Sequence, residues 1–507
     1  MYSMVTTAVV RGLKSVCIQV EADVSNGMPM FEMVGFLSSE VKEARERVRT
    51  ALQSNGYLLP AKRITVSLSP ADVKKSGAGF DLPIAAAVLA ALGEIDQKFL
   101  EHTLILGEIS LSGKILPIHG VLPIVAKAKE SGIKRCLIPY QNQAEARQIS
   151  DIEIWALEDL KEMVSYMKGK PYQEKPYVSG TMAKEAASEP DFSEIHGQES
   201  VKRACEVAVS GMHNFLMIGP PGSGKTMLAR RIPGILPPLT KEEQLEISKI
   251  YSICGMLPQD GTLICSRPFR TPHHTISPNG LSGGGTVPKP GEISLAHKGV
   301  LFLDELPEYK KSTLEILRQP MEEKEITLVR QSGTYRYPSD FMLVAAMNPC
   351  KCGYYPDRSK CNCREEEVAR YLGRVSKPLL DRIDICVEAP MIQYEELIQK
   401  SEQESSAVIR GRVMAALERQ QYRFRGTDIC ANSQIPSKAI GKYCRLNSGQ
   451  QKYMKKIYQS MELSARGYYK ILKTARTIAD LDNSEEVKES HLNEAVCYRI
   501  GDKKYWE

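Results

Sequence analysis

No stretch of this 507-residue chain is apolar for long enough to cross a bilayer. The longest run, Leu82 to Leu92, falls well short of the roughly 20 residues that a spanning helix needs. The segment Met1 to Thr7 has no charged stretch followed by an apolar core, so no export signal is evident and a cytoplasmic location is expected. Internal repeats and low-complexity tracts are absent. Charge imbalance is slight: 67 Lys and Arg against 61 Asp and Glu leave +6, which is compatible with nucleic acid but does not indicate it. With no export signal, the 13 cysteines are expected to be reduced, and any cluster of them to hold a metal rather than form disulfides. What remains is ordinary globular composition, 42% hydrophobic and 25% charged, in about three domains at typical sizes.

Lys168 to Pro190 is the clearest linker, with three prolines, two glycines and no apolar periodicity. It separates an N-terminal α/β domain (1–167) from a phosphate-binding core (191–398) and a helical remainder (399–507) broken at Pro436. In the first domain Val5 to Val24 alternates like strands, and Ser38 to Asn55 has helical spacing. Ile64 to Leu68 reads as a strand and Leu82 to Leu92 as an Ala-rich buried helix.

The chemistry begins at Gly219-Pro220-Pro221-Gly222-Ser223-Gly224-Lys225-Thr226, a full G-x-x-x-x-G-K-[ST] pattern. Asn214 to Ile218 reads as a buried strand before it, and Met227 to Arg231 as a helix start after it. Glycines let backbone N–H groups turn toward phosphates, and the helix N-terminus adds partial positive charge. ATP is the expected nucleotide. Lys225 would reach its β- and γ-phosphates, and the Thr226 hydroxyl would hold Mg²⁺. Downstream, Val300 to Leu303 reads as a strand buried on both faces, ending in Asp304 and Glu305. Asp304 would hold Mg²⁺ directly or through water, and Glu305 would activate the attacking water as general base. A third strand, Phe341 to Met347, ends in Asn348, either a water-orienting amide or a turn former before Pro349. Arg382, in Leu379-Leu380-Asp381-Arg382, is either an arginine finger or a surface partner of Asp381 or Asp384.

This order of motifs resembles the AAA+ ATPases. The resemblance implies that Asp191 to Gln198, including Gly197 and Gln198, contacts the adenine side of the nucleotide. It also implies that Arg466 is a second sensor reaching the nucleotide from a helical lid, and that the finger acts on a neighbour in a ring, most often a hexamer. Two insertions narrow the branch. One runs from Arg267 to Ser277 and on through Leu281 to Thr286; the other, Ile326 to Tyr337, reads as a hairpin turning at Ser332-Gly333. They resemble the helix-2 insert and pre-sensor hairpin of magnesium-chelatase motor subunits and minichromosome-maintenance helicases, elements that point into the ring's pore. Arg330, Tyr335 and Arg336 of the hairpin, with Arg270, His273 and His274 of the insert, are then candidates for single-stranded or branched DNA, by phosphate neutralisation and base stacking. An ordinary solvated hairpin is the alternative.

Cys350, Cys352, Cys361 and Cys363 follow the sensor strand as C-x-C-x8-C-x-C. Two tight pairs closing a Gly/Pro loop can converge on one tetrahedral ion, with zinc the best fit. A redox-active or merely structural group is the alternative. In the N-terminal domain, Lys74 to Leu92 and Gly107 to Pro139 look like the Lon protease catalytic domain. Gly77 stands where the serine nucleophile belongs and Leu122 where the lysine base belongs. Ser76 and Lys127 are nearby but out of register, so a binding or assembly module is expected.

The whole chain resembles the ComM/YifB family, through Phe31 to Phe36, Pro70 to Lys75, Phe269 to His274 and Ala475 to Leu481. That resemblance implies a homo-hexameric ATP-driven motor for DNA branch migration during natural transformation, with recombination proteins as partners. The rivals are a chelatase motor acting through a partner, a Lon-like protease disfavoured by Gly77 and Leu122, and a scaffold without activity.

Overall fold

The computed structural model describes residues 1–176, 190–258, 260–331, 333–394 and 403–506. Most of the expected linker, the expected turn residue Ser332 and the expected boundary near residue 398 lie outside these.

The N-terminal domain is built on a mixed sheet of seven strands: β1 (Tyr2–Arg11), β2 (Lys14–Ser25), β3 (Met30–Val34), β4 (Arg63–Ser69), β5 (Thr103–Ile105), β6 (Arg135–Pro139) and β7 (Glu153–Leu157). Their order is β3-β4-β2-β1-β5-β6-β7. Alternation fixes the register: Ile18, Val20, Ala22 and Val24 of β2 all point into the core, with half-exposed residues between them. Helix α1 (Ser39–Ser54) buries Val41, Ala44, Val48, Ala51 and Leu52, one stripe at helical spacing. Helix α2 (Asp81–Ala91) is buried nearly all round. Its one acid, Asp81, accepts from Arg47 Nε at 2.8 Å and Nη2 at 2.9 Å, the pairing that a buried charge requires.

The core sheet comprises β8 (Phe215–Ile218), β9 (Phe269–Arg270), β10 (Val300–Leu303), β13 (Met342–Met347) and β14 (Ile385–Glu388). Its order is β9-β10-β13-β8-β14, parallel throughout. Strands β8, β10 and β13 are apolar at every position because both faces are covered. Parallel strands deliver their carboxyl ends to one edge, where open α/β sheets bind ligands. Gly219, Asp304 and Asn348 therefore emerge side by side. A separate hairpin, β11 (Glu325–Arg330) and β12 (Gly333–Pro338), leads into β13.

The two domains touch at a helix of the core and at the hairpin. Helix α3 (Val121–Glu130) packs on α4 (Lys241–Cys254); the Gly120 N–H donates to Ser252 O at 3.0 Å, and Ser252 Oγ donates to Glu145 at 2.8 Å. Gly12, at φ +68°, lies so close to the hairpin that a Cβ there would sit 2.8 Å from Arg336 O. The C-terminal helices α5 (Ser406–Arg423), α6 (Ala465–Leu481) and α7 (Glu489–Cys497) share one core with the nucleotide sheet. No helix among the described residues is long and apolar enough to cross a membrane.

Candidate nucleotide and metal sites

Gly222 and Gly224, at φ +77° and +79°, bend the phosphate loop into the following helical turn, Lys225–Ala229. Their N–H groups have no backbone partner among the described residues. Lys225 Nζ donates to Gly219 O and Pro220 O at 2.8 Å, Ser223 Oγ at 3.2 Å and Asn348 Oδ1 at 3.3 Å. Burial lowers this ammonium to about 8, partly opposed by Asp304. A triphosphate entering the loop offers it stronger, charge-assisted partners than carbonyls do. Asn348 thus faces Lys225 across the mouth of the loop.

Thr226 Oγ1 donates to Asp304 Oδ2 at 2.6 Å. A hydroxyl and a carboxylate at the mouth of a phosphate loop are the hard oxygen donors that Mg²⁺ takes alongside phosphate oxygens and water. Asp304 Oδ1 also accepts the Glu305 N–H at 2.9 Å. Glu305 adopts φ +50°, rare for a non-glycine residue, and this turn leaves its carboxylate exposed. Its Oε2 stands 3.5 Å from His274 Nδ1. Gln198, buried, donates to Ser223 O at 3.2 Å and Pro390 O at 2.5 Å, while its own Oε1 has no partner among the described residues. With Gly197 at φ +62°, this upstream segment reaches the loop.

The structure gives the arginines partners that the sequence did not suggest. Arg382 is only 10% exposed, and among the described residues it pairs with neither Asp381 nor Asp384. It donates to Arg318 O at 3.2 Å and Pro378 O at 2.6 Å, and meets Glu322 at 2.6 Å. Asp384 instead accepts the Asn214 N–H and lies 3.7 Å from both His213 and Lys470, which hold it well below the usual carboxylate range against the effect of burial. Arg466, 62% exposed, lies 3.9 Å from the same Glu322. Among the described residues its ion pair is thus with the acid that Arg382 also meets.

Three of the DNA candidates are not placed as free, exposed groups. Tyr335 is 8% exposed, because alternation along β12 turns Tyr335 and Tyr337 onto the covered face. It offers no stacking face. Arg270 is held bidentately by Glu292 at 2.7 and 2.8 Å, an ion pair rather than an available cation. His274 stands beside Glu305. Arg330 and Arg336 are exposed, the latter 3.7 Å from Glu325, and His273 is exposed beside Thr275 Oγ1 at 2.9 Å.

The four cluster cysteines converge, with all four Sγ atoms within 4.8 Å of one another. Cys350 Sγ lies 3.3 Å from Cys352 and 3.8 Å from Cys361, and Cys352 lies 3.5 Å from Cys361. A tetrahedral zinc with Zn–S of about 2.3 Å spaces its sulfurs about 3.8 Å apart, so the donor set fits that ion. Burial opposes ionisation of Cys352, but the Tyr354 backbone and the neighbouring thiols outweigh it and hold Cys352 at about 6.

In the N-terminal domain Leu122 is buried in α3, and the Gly77 N–H donates to Glu40 at 3.0 Å. Lys127 pairs with Glu130 at 3.2 Å. Neither position provides a nucleophile or its base.

Three family models match the chain: "Subunit ChlI of Mg-chelatase" over residues 20–142, "Magnesium chelatase, subunit ChlI" over 191–397, and "Magnesium chelatase, subunit ChlI C-terminal" over 403–499. Lon protease 2 of Bacillus subtilis is 33% identical over 142 residues, 27% of this chain and 25% of that protein. Together with the sheet order and the nucleotide site, these matches define a magnesium-chelatase-like AAA+ ATPase behind a Lon-protease-like N-terminal domain. Similarity then extends almost end to end. Protein YifB of Salmonella typhimurium is 40% identical over 502 residues, 99% of this chain and 97% of that protein. Competence protein ComM of Haemophilus influenzae is 40% identical over 498 residues, 96% and 95% of the two chains. The chain belongs to the ComM/YifB family.

Proposed function

We propose that this ATPase is a ring-forming DNA motor, a branch-migration helicase acting in homologous recombination during natural transformation. The observation that carries the ring is the shared Glu322. Arg382 and Arg466 meet on one acid, and among the described residues neither contacts the phosphate loop, which supports reading a second copy as the source of the missing charge around a γ-phosphate. A closed head-to-tail ring would satisfy this, and the family resemblance makes a hexamer the expected size. Exposed Arg330 and Arg336 on the hairpin support the DNA assignment, as does the name of the Haemophilus influenzae relative, a competence protein.

Hydrolysis proceeds by in-line attack of water on the γ-phosphate. Glu305 takes the water's proton, Asn348 orients the water, and Lys225 with the neighbour's Arg382 neutralises charge on the transferring group. Mg²⁺ between Thr226 and Asp304 would screen the phosphate oxygens. The four-cysteine site is read as holding zinc. The test is fluorescence anisotropy on single-stranded and forked DNA across a salt series with an ATP analogue. Binding that weakens steeply with salt supports the reading. Absence of binding at low salt overturns it in favour of a chelatase-like motor that remodels a protein partner.

A further inference from the structure

The cysteine loop carries no helix or strand from Cys350 to Cys363, yet it touches the nucleotide machinery at two points. It begins two residues after Asn348, whose Oδ1 lies 3.3 Å from Lys225 Nζ. Gly353, three residues past Cys350, then lies directly against the phosphate loop. A Cβ at Gly353 would stand 2.3 Å from Pro221 Cδ, so only a glycine, here at φ +87°, fits beneath that proline. What fixes Gly353 is the cysteine pair itself. Its N–H donates to Cys350 O at 3.0 Å, and the next turn is tied back by the Tyr355 N–H on Cys350 Sγ at 3.4 Å. Further along, the Tyr355 ring meets Tyr505 of the C-terminal segment, with centroids 6.4 Å apart.

We propose that the Cys350, Cys352, Cys361 and Cys363 site, holding one zinc ion, is a strut for the phosphate loop, so that metal occupancy sets nucleotide affinity. The inference rests on the zinc reading above. A bound ion ties Cys350 and Cys352 to Cys361 and Cys363, closing a segment that has no ladder of its own. Closure holds Gly353 beneath Pro221 and keeps Asn348 in reach of Lys225. Without the ion, four neighbouring sulfurs supply only weak contacts, and the segment is free to move away from Pro221. The loop's N–H groups then lose their fixed aim at the phosphates, and displacement of a positioning group by about 1 Å is enough to change binding and rate by orders of magnitude.

The experiment uses the full chain. Metal content is measured on the purified protein, and the dissociation constant of a fluorescent ATP analogue is measured on purified, chelator-stripped and refilled samples. Refilling is done with zinc, and with cobalt, whose visible bands report tetrahedral thiolate ligation. About one zinc per chain is expected. Stripping is expected to weaken nucleotide binding about tenfold or more, and refilling to restore it. Gly353→Ala is the second arm, since it leaves all four thiols in place. It is expected to keep the cobalt bands yet bind nucleotide more weakly. No metal in the purified protein and no cobalt bands on refilling overturn the zinc reading. One metal per chain with unchanged nucleotide affinity after stripping overturns the strut alone. Should stripping unfold the chain, Gly353→Ala decides: cobalt bands with weakened nucleotide binding support the strut, and unweakened binding overturns it.

Discussion

If Glu305 is the general base, Glu305→Gln removes that base and little else. The residue sits at the turn after β10 with φ +50°, its N–H held by Asp304 at 2.9 Å and its side chain 59% exposed. Glutamine keeps the volume and the hydrogen-bonding reach, and an exposed substitution of this kind shifts stability by no more than about 0.5 kcal/mol. Lys225, Thr226 and Asp304 keep their mutual contacts, so nucleotide affinity is expected to stay within about threefold of the parent, because the base acts on water and not on the phosphates. General-base catalysis contributes about 10²–10⁴ in rate, or about 3–5 kcal/mol of barrier. Turnover is therefore expected to fall at least about a hundredfold. A phosphate-release assay at saturating ATP, paired with binding of a fluorescent ATP analogue, separates the two effects. Turnover within about threefold of the parent would remove Glu305 from the role and direct attention to its neighbour His274, 3.5 Å away.

If Arg382 acts in trans, mixing Arg382→Ala with Lys225→Ala subunits restores part of the ATPase, since each supplies the half-site that the other lacks. Activity per chain that stays constant on dilution to monomer would contradict a shared site. Asp340 gives a pH dependence. Burial would raise its carboxyl, but Lys324 and Lys298, the latter at 2.9 Å, hold it at about 2, below the ordinary 3.8. A depressed carboxyl contributes stability above pH about 4 and loses it as pH falls toward 2, about 2 kcal/mol in all. Asp340→Asn should then lower Tm at pH 7 and by less at pH 3; an equal deficit at both values would show that the ion pairs are not its source. Neutralising Arg330 and Arg336 together should weaken single-stranded DNA and flatten the salt dependence by about 0.7 per lost phosphate contact. An unchanged slope would put the DNA elsewhere on the molecule.

Legibility tracked sequence distance. The phosphate loop, the Asp304-Glu305 pair and Asn348 were readable because each is a local pattern at the end of an apolar strand, and parallel pairing brings such ends together by construction. Tyr335 was misread although the signal was present. The alternation Thr334, Tyr335, Arg336, Tyr337 already assigns both tyrosines to one face, opposite Arg336. Other contacts left no trace in the sequence. Glu322 sits on a short charged segment, and nothing local ties it to Arg382 or Arg466. Arg270 with Glu292, and Gly353 with Pro221, are pairs made only by the folded chain. The N-terminal domain was readable as a protease-like frame without its dyad. Its contacts with helix α4 and the hairpin, through Gly120 and Gly12, were not.

The central claim, that ATP hydrolysis here drives movement on DNA, is tested most directly by the hydrolysis rate of the full chain with and without forked DNA at low salt. The account predicts a rate that rises on adding forked DNA and falls back toward the DNA-free value as salt releases it. A rate indifferent to single-stranded and forked DNA at every salt concentration would contradict it, leaving an ATPase whose work is done on a protein partner.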